Sequence, residues 1–345
     1  MNSDISILIP THNRSAYLRR TLEYYLSSGI TVYVVDSSQE AFKYEADKYA
    51  SINLQYFYLP HKSLTGKISY ALEKITTPYV VMCADDDFVI PSAIFKCVDF
   101  LSANRAFSAA MGNTICYKKN LRLKEQIEFF GYYHERLSFR TLEDDPIKRV
   151  ADFFKIYRAI FYAVQRTEIL KKTFEDAEAV INNLFLNEYL TAIYPVVSGH
   201  LIEMPILYSV REYSEFSGDK TTENIDAILF NEALKNEYDK FLDYEAEKIA
   251  PVVNQSCDTV KEALSVIIIQ YAHEVRQLKL QFELGADKKI GKFIDYLPFF
   301  GKQIITAFRY LKNVKALPKF VKTPEETEEL SVIGANIKKY IEIIK

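Results

Sequence analysis

Three consecutive carboxylates, Asp85, Asp86 and Asp87, follow directly on the apolar run Val80-Val-Met-Cys-Ala84. Such a run reads as a buried strand, and the strands of parallel sheets present ligand-binding residues just past their carboxyl ends. Like charges packed at a strand end repel one another unless a cation shares the site. Hard divalent ions accept one or two carboxylates together with phosphate oxygens. The triplet therefore reads as a metal site facing a diphosphate. The alternative is an acidic turn that caps a helix starting near Pro91.

The preceding segments must position these acids. Residues 5–9 form a short apolar run ended by Pro10, and residues 15–26 carry Leu18, Leu22, Tyr25 and Leu26 at helical spacing before Gly29. Strands are expected at 31–35, 54–58 and 79–83, with a helix over 63–74 whose apolar face is Ile68, Ala71, Leu72 and Ile75. Alternating strands and helices predict an α/β fold with a mostly parallel sheet covered on both faces. Right-handed crossovers bring the strand ends to one edge. Pro10, Thr11, His12, Asn13 and Arg14 follow the first strand, Asp36 the second and the acidic triplet the fourth, which would assemble a nucleotide-sized crevice. Neither a Gly-x-Gly-x-x-Gly turn nor a Walker A lysine loop occurs, which disfavours a dinucleotide oxidoreductase or a P-loop NTPase.

Composition sets outer bounds. The 345 residues are nearly half hydrophobic with a formal net charge of -3, so neither general disorder nor a nucleic-acid-binding polycation is indicated, and no nucleic-acid partner is expected. Cys83, Cys97, Cys116 and Cys257 are widely spaced without a Cys-x-x-Cys pair and are expected to be reduced and mostly buried. The N-terminus lacks a secretory signal pattern and no apolar run reaches transmembrane length. The expected compartment is the cytoplasm, with contact at the inner face of the cell membrane only at the periphery.

The strings Ile-Leu-Ile-Pro10-Thr-His-Asn-Arg14, Val-Val-Asp36-Ser-Ser and Ala-Asp-Asp86-Asp87-Phe-Val-Ile-Pro91 resemble the family 2 glycosyltransferases of the GT-A fold. That resemblance implies that the first two strings attend to the base and ribose of a nucleotide sugar. It implies also that the acidic motif carries Mn²⁺ or Mg²⁺ on the diphosphate. Two aspartates, three residues and a proline match the family pattern through Asp86, Asp87 and Pro91, whereas an Asp-x-Asp reading selects Asp85 and Asp87. Asp87 satisfies both and is the first expected metal ligand, helped by Asp85 or Asp86. Gly66 and Lys67 open a helix where the family has a loop near the nucleotide; Gly66 would permit close backbone approach, and Lys67 would offset diphosphate charge.

The resemblance continues to about residue 215. Residues 182–194 have a helical pattern, and Glu188 stands at the family's Glu-Asp motif, which makes it the expected base for an acceptor hydroxyl in an inverting transfer. Here the motif's aspartate is replaced by Tyr189. Arg211 falls where relatives often carry Arg-x-His and is a candidate diphosphate clamp, although Tyr213 stands in place of the histidine. The domains expected are 1–215, a GT-A unit, and 216–345, a C-terminal helical region behind a hinge near 214–219.

A last helix is expected behind Thr323-Pro-Glu-Glu326, which has the N-cap residue, first-turn proline and acidic first turn of a helix start. Residues 288–322 carry nine Lys or Arg against one Asp, interleaved with phenylalanines. They read either as a solvated basic hairpin or as a peripheral contact with an anionic membrane that holds lipid-linked acceptors. The C-terminal helices pack on the catalytic domain or on a partner subunit as a homo-oligomer. The resemblance implies sugar transfer from a nucleotide donor to a glycan or lipid-linked acceptor in bacterial surface polysaccharide assembly. Two rivals are a catalytically idle nucleotide-binding module and a sugar nucleotidyltransferase; the usual glycine-rich start of the latter is absent.

Overall fold

The computed structural model describes residues 4–44, 46–120, 126–131, 139–181, 183–213, 225–289, 321–341 and 343–344. The strands are β1 (Ile5–Thr11), β2 (Thr31–Asp36), β3 (Gln55–Tyr58), β4 (Tyr79–Met82), β5 (Phe88–Val89), β6 (Phe107–Asn120), β7 (Gln126–Gly131), β8 (Phe139–Arg140), β9 (Val164–Arg166) and β10 (His200–Glu212). The helices are α1 (Ser15–Tyr25), α2 (Leu64–Lys74), α3 (Pro91–Ala103), α4 (Pro146–Lys155), α5 (Thr167–Phe174), α6 (Leu184–Ser198), α7 (Glu232–Val253), α8 (Cys257–Lys289) and α9 (Pro324–Tyr340). Short 3-10 turns lie at Ala46–Ile52, Ala177–Ala179 and Ile225–Leu229.

One mixed sheet runs β3-β2-β1-β4-β9-β6-β10-β5, with β7 added to β6 and β8 to β10. Strands β1 to β4 pair in parallel, and β6 pairs in parallel with β10. Strand β9 runs antiparallel to both β4 and β6. Two reversals restore the direction, so β1, β2, β3, β4, β6 and β10 all end at the same edge. This juxtaposition determines the site. Every residue of β1 and β4 is buried, as expected for strands covered on both faces. The architecture is the GT-A-like arrangement expected, a mostly parallel sheet flanked by helices with a helical region at its C-terminal end.

Local chemistry explains where the helices begin. Ser63 caps α2 by accepting from the Gly66 amide at 3.0 Å, Asp145 caps α4 through the Lys148 amide at 2.9 Å, and Asn231 caps α7. Thr323 and Glu326 form a reciprocal capping box at the start of α9. The N-cap of α3 is Ile90, with no side-chain cap, so the acidic triplet does not serve as that helix's cap.

Helix α9 returns to the first helix of the chain. Leu330, Ile333, Ile337 and Tyr340 are its buried face, Lys339 pairs with Glu23 at 2.5 Å, and Asn336 donates to the Arg20 carbonyl at 3.3 Å. The Leu207 amide, at an irregularity in the pairing of β10 with β6, donates to Glu326 at 2.8 Å. Segment 126–131 is the antiparallel partner of β6. The hinge near 214–219 lies outside the described residues, as does the basic segment 288–322 apart from its ends. Among the described residues no helix is long and apolar enough to cross a membrane. Cys83, Cys97 and Cys116 are buried free thiols, and Cys257 is exposed.

Candidate active site

The triplet sits on the turn between β4 and β5, at the shared carboxyl edge. Asp85 and Asp87 are each 3 % exposed, while the Asp86 side chain is 24 % exposed. Asp85 accepts from the Thr11 hydroxyl at 2.6 Å and pairs with Arg14 at 3.0 Å. Arg14 reaches Asp86 as well, at 2.7 Å, and its guanidinium thereby bridges two of the three acids. Asp87 Oδ1 accepts from the Glu212 amide at 2.7 Å; its Oδ2 accepts from the Tyr162 hydroxyl at 2.5 Å and from Arg211 Nε at 3.2 Å. Burial raises the Asp85 carboxyl to about 7 despite the opposing Arg14, and burial together with the neighbouring Asp86 raises Asp87.

The backbone of the triplet is held from beneath by α1. Thr21 donates to the Asp85 carbonyl at 2.6 Å, and the fully buried Arg20 donates to the Asp86 carbonyl at 2.5 Å. Arg20 also reaches the Tyr117 hydroxyl at 2.8 Å and Glu212 at 3.2 Å, and Tyr117 donates to the same Glu212 oxygen at 2.5 Å. Tyr117 and Glu212 face each other in the β6–β10 register. Glu212 therefore grips the site twice, by its amide on Asp87 and by its side chain on Arg20.

The β1 and β2 ends form the adjoining wall. Pro10 is buried within β1 opposite Val35. His12 Nδ1 lies 2.9 Å from the Ser37 carbonyl. Asn13, at φ 54°, donates its amide to Ser38 at 2.7 Å and accepts from the Gln39 amide at 2.9 Å. Asp36 is 1 % exposed. Its carboxylate accepts from the Ser38 amide at 2.8 Å, the Ser38 hydroxyl, the Tyr56 hydroxyl at 2.7 Å and the Phe42 amide at 3.3 Å. These bonds shape the loop after β2 into a fixed rim.

Lys67 is buried and donates to the Thr11 carbonyl at 2.6 Å and to Ser37 at 3.1 Å, which ties the β1 and β2 ends to α2. Burial lowers its ammonium to about 8, partly offset by Asp85 and Asp36. The close neighbour of Gly66 is Glu178: a Cβ there would stand 2.1 Å from its carboxyl carbon. Glu178 is held in turn by Lys62 at 2.8 Å and Ser63 at 3.0 Å.

Glu188 is exposed on the first turns of α6. Its neighbour Asn187 is buried and accepts from Thr65 of α2 at 2.6 Å. Glu188 itself accepts from the Tyr157 hydroxyl at 2.8 Å. The stretch between α4 and β9 thus supplies Tyr157 to Glu188 and Tyr162 to Asp87.

Thr11, Arg14, Asp85, Asp86, Asp87 and Arg211 are brought into one bonded network, with Lys67 and Asp36 on its flank. Sequence reasoning missed Arg20, Thr21, Tyr117, Tyr162 and Glu212. A signal for part of this set was present, since Arg14, Tyr17 and Thr21 recur at i, i+3 and i+7 and mark a polar face on α1. Nothing local pointed to Tyr117, Tyr162 or Glu212.

The hard carboxylate oxygens of Asp85, Asp86 and Asp87 are the donor type that fits a divalent ion such as Mn²⁺ or Mg²⁺. Among the described residues no group of three or more His, Cys, Asp or Glu converges as a complete ligand set. One or two carboxylates with the rest supplied by phosphate and water is the pattern usual for Mg²⁺.

Residues 6–174 match the family model described as Glycosyl transferase family 2. The match covers 169 of the 345 residues and marks a family 2 glycosyltransferase domain in that part of the chain. No curated protein sequence matches it. The crystal structure of S. aureus TarS aligns with a TM-score of 0.51 at 14 % identity, covering 98 % of this chain and 55 % of that one. This chain thus spans little more than half the length of that relative. A TarS fragment, 1–349, in complex with UDP-GlcNAc gives 0.49 at 14 % identity, with 98 % and 90 % covered. GalNAc-T7 with UDP, GalNAc and Mn²⁺ gives 0.48 at 11 %, with 77 % and 57 % covered. At such identities the likeness to TarS is one of fold.

Proposed function

We propose that this protein is a metal-dependent inverting glycosyltransferase that moves a sugar from a nucleotide-sugar donor to a hydroxyl of a glycan or lipid-linked acceptor, in bacterial surface polysaccharide assembly. The observation that carries the reading is the acidic triplet at the shared strand edge. Its buried carboxylates are raised, Asp85 to about 7, and the β1 and β2 ends flank it as a nucleotide rim. Asp87 and Asp85 would hold Mn²⁺ or Mg²⁺, which when bound supplies positive charge to the departing diphosphate. Pro10 to Arg14, Asp36 and Lys67 line the nucleotide side, with Asp86 and Arg211 at the diphosphate, whereas the space beside Gly66 is taken by Glu178.

In the transfer, the acceptor oxygen forms a bond to the anomeric carbon as the bond from that carbon to the diphosphate oxygen breaks. The electron pair leaves on the diphosphate, and the hydroxyl proton passes to the Glu188 carboxylate. Arg14 and Arg211 provide fixed guanidinium donors that match phosphate oxygens.

The test is a thermal-shift panel of UDP, GDP, CMP and dTDP with and without Mn²⁺, on the wild type and Asp87→Ala, followed by nucleotide release from the matching sugar donors. Stabilisation by one nucleotide that needs both Mn²⁺ and Asp87 supports the reading; stabilisation independent of metal removes the role of Asp87. A second reading is a nucleotide-binding module without transfer. It is favoured by the occupation of both Asp87 oxygens by Tyr162, Arg211 and the Glu212 amide. Nucleotide binding with no turnover of any donor would select it.

A further inference from the structure

Glu188 stands in an aromatic setting built partly by the C-terminal helices. The Tyr157 hydroxyl donates to Glu188 Oε1 at 2.8 Å. Tyr157 is packed by Phe153 and Phe154 of α4, with ring centroids 5.4 and 5.6 Å away, and by Tyr189 of α6 at 5.0 Å. The remaining neighbour is Tyr271 of α8, 5.4 Å from Tyr157, 5.3 Å from Phe154 and 6.3 Å from Tyr189. Burial, reinforced by Glu188, pushes the Tyr157 phenol well above its ordinary range, so the hydroxyl keeps the proton that it donates. Burial likewise takes Tyr271 up to about 12.

An exposed glutamate has three side-chain torsions and explores many rotamers, and each must be restrained if its carboxylate is to meet an acceptor hydroxyl. A charge-assisted hydrogen bond from a phenol restrains it only when the phenol is itself fixed. Here four rings hold Tyr157, and one of them belongs to α8. We propose that Tyr157 is a positioning residue for Glu188 and that Tyr271 locks Tyr157 in place, so that the C-terminal helical region completes the catalytic site rather than standing apart from it. This rests on Glu188 as the proton acceptor of the proposed transfer. Tyr157 and Tyr271 act through Glu188 and touch no reacting atom.

The experiment uses the full chain with Mn²⁺ and measures nucleotide release from whichever of UDP-glucose, UDP-GlcNAc, GDP-mannose or dTDP-glucose the wild type hydrolyses, with water as acceptor. Tyr157→Phe keeps the ring and removes only the hydroxyl. It should lower kcat about tenfold or more, the scale of one hydrogen bond to a charged group, with donor KM within about twofold of wild type. Tyr271→Ala should lower kcat in the same direction, while Tyr271→Phe, which keeps the packing ring, should stay within about twofold. In a Glu188→Gln background Tyr157→Phe should have no further effect, because the residue that it positions is gone. Wild-type kcat in Tyr157→Phe, or an equal factor lost with and without Glu188, overturns the inference. Wild-type kcat in Glu188→Gln overturns the base assignment itself, a separate result.

Discussion

Replacing Arg20 with Met tests whether the buried network beneath the triplet is what holds the site. Met keeps an unbranched stem between Phe88 and Tyr17, whose rings lie 5.0 and 5.1 Å from the guanidinium carbon. It removes donors to Tyr117, to Glu212 and to the Asp86 carbonyl. The Glu212 side chain, only 9 % exposed, is left charged without its guanidinium. Breaking one member of a buried pair typically costs about 3–5 kcal/mol because the partner's charge is stranded. Against a total stability of about 5–15 kcal/mol, that loss is readable by urea denaturation. The companion Arg20→Met/Glu212→Gln removes the stranded charge and should regain at least about 1 kcal/mol relative to Arg20→Met. A loss below about 1 kcal/mol in Arg20→Met, or a double variant no more stable than the single, would refute this account. Arg20→Met should also weaken Mn²⁺-dependent nucleotide stabilisation, since the Asp86 backbone loses its anchor.

Glu245 of α7 is fully buried, and neither of its oxygens has a hydrogen-bond partner among the described residues; burial raises its carboxyl from 4.5 to about 8. The native state therefore keeps a proton that the unfolded state loses above about 4.5, so stability falls as pH rises from there to about 8, by up to roughly 1.4 kcal/mol per unit. Glu245→Gln should flatten that slope and gain about 3 kcal/mol relative to wild type between pH 5 and pH 8 in denaturant titrations; parallel slopes would show that Glu245 is paired. Ile333→Ala, at a fully buried position on α9, should cost about 2–5 kcal/mol by the same assay. A near-neutral result would mean that α9 does not pack on α1.

The alternation of strand and helix over the first hundred residues was legible because it is local. Short apolar runs for the strands, period-3.6 apolar spacing for the helices and the Thr323 helix start are written in neighbouring residues, although β1 runs on through Pro10 to Thr11. The carboxyl-edge cluster of Thr11, Arg14, Asp36 and the triplet followed from that alternation, since parallel strands with right-handed crossovers leave little choice of edge. Residues 121–145, an irregular mix of charge and aromatics without a clear period, read equally as an acceptor-facing insertion or as a structural hairpin, which leaves the pairing of β7 with β6 open.

Residue types and spacing alone determined that three acids would stand at a strand end, that the ends of the first two strands would flank them and that a helical region would follow. Only the tertiary structure decided how those acids are held. Strand β5, directly after the triplet, pairs antiparallel with β10, with Val210 opposite Phe88, and this brings Arg211 and Glu212 to Asp87 across more than a hundred residues of chain. The same packing buries Arg20 beneath the triplet, sets Tyr157 on Glu188 and returns α9 to α1. Such contacts depend on the order of strands across a sheet and on which helix faces meet. Sequence spacing does not encode these, because they form between segments with no local relation to one another.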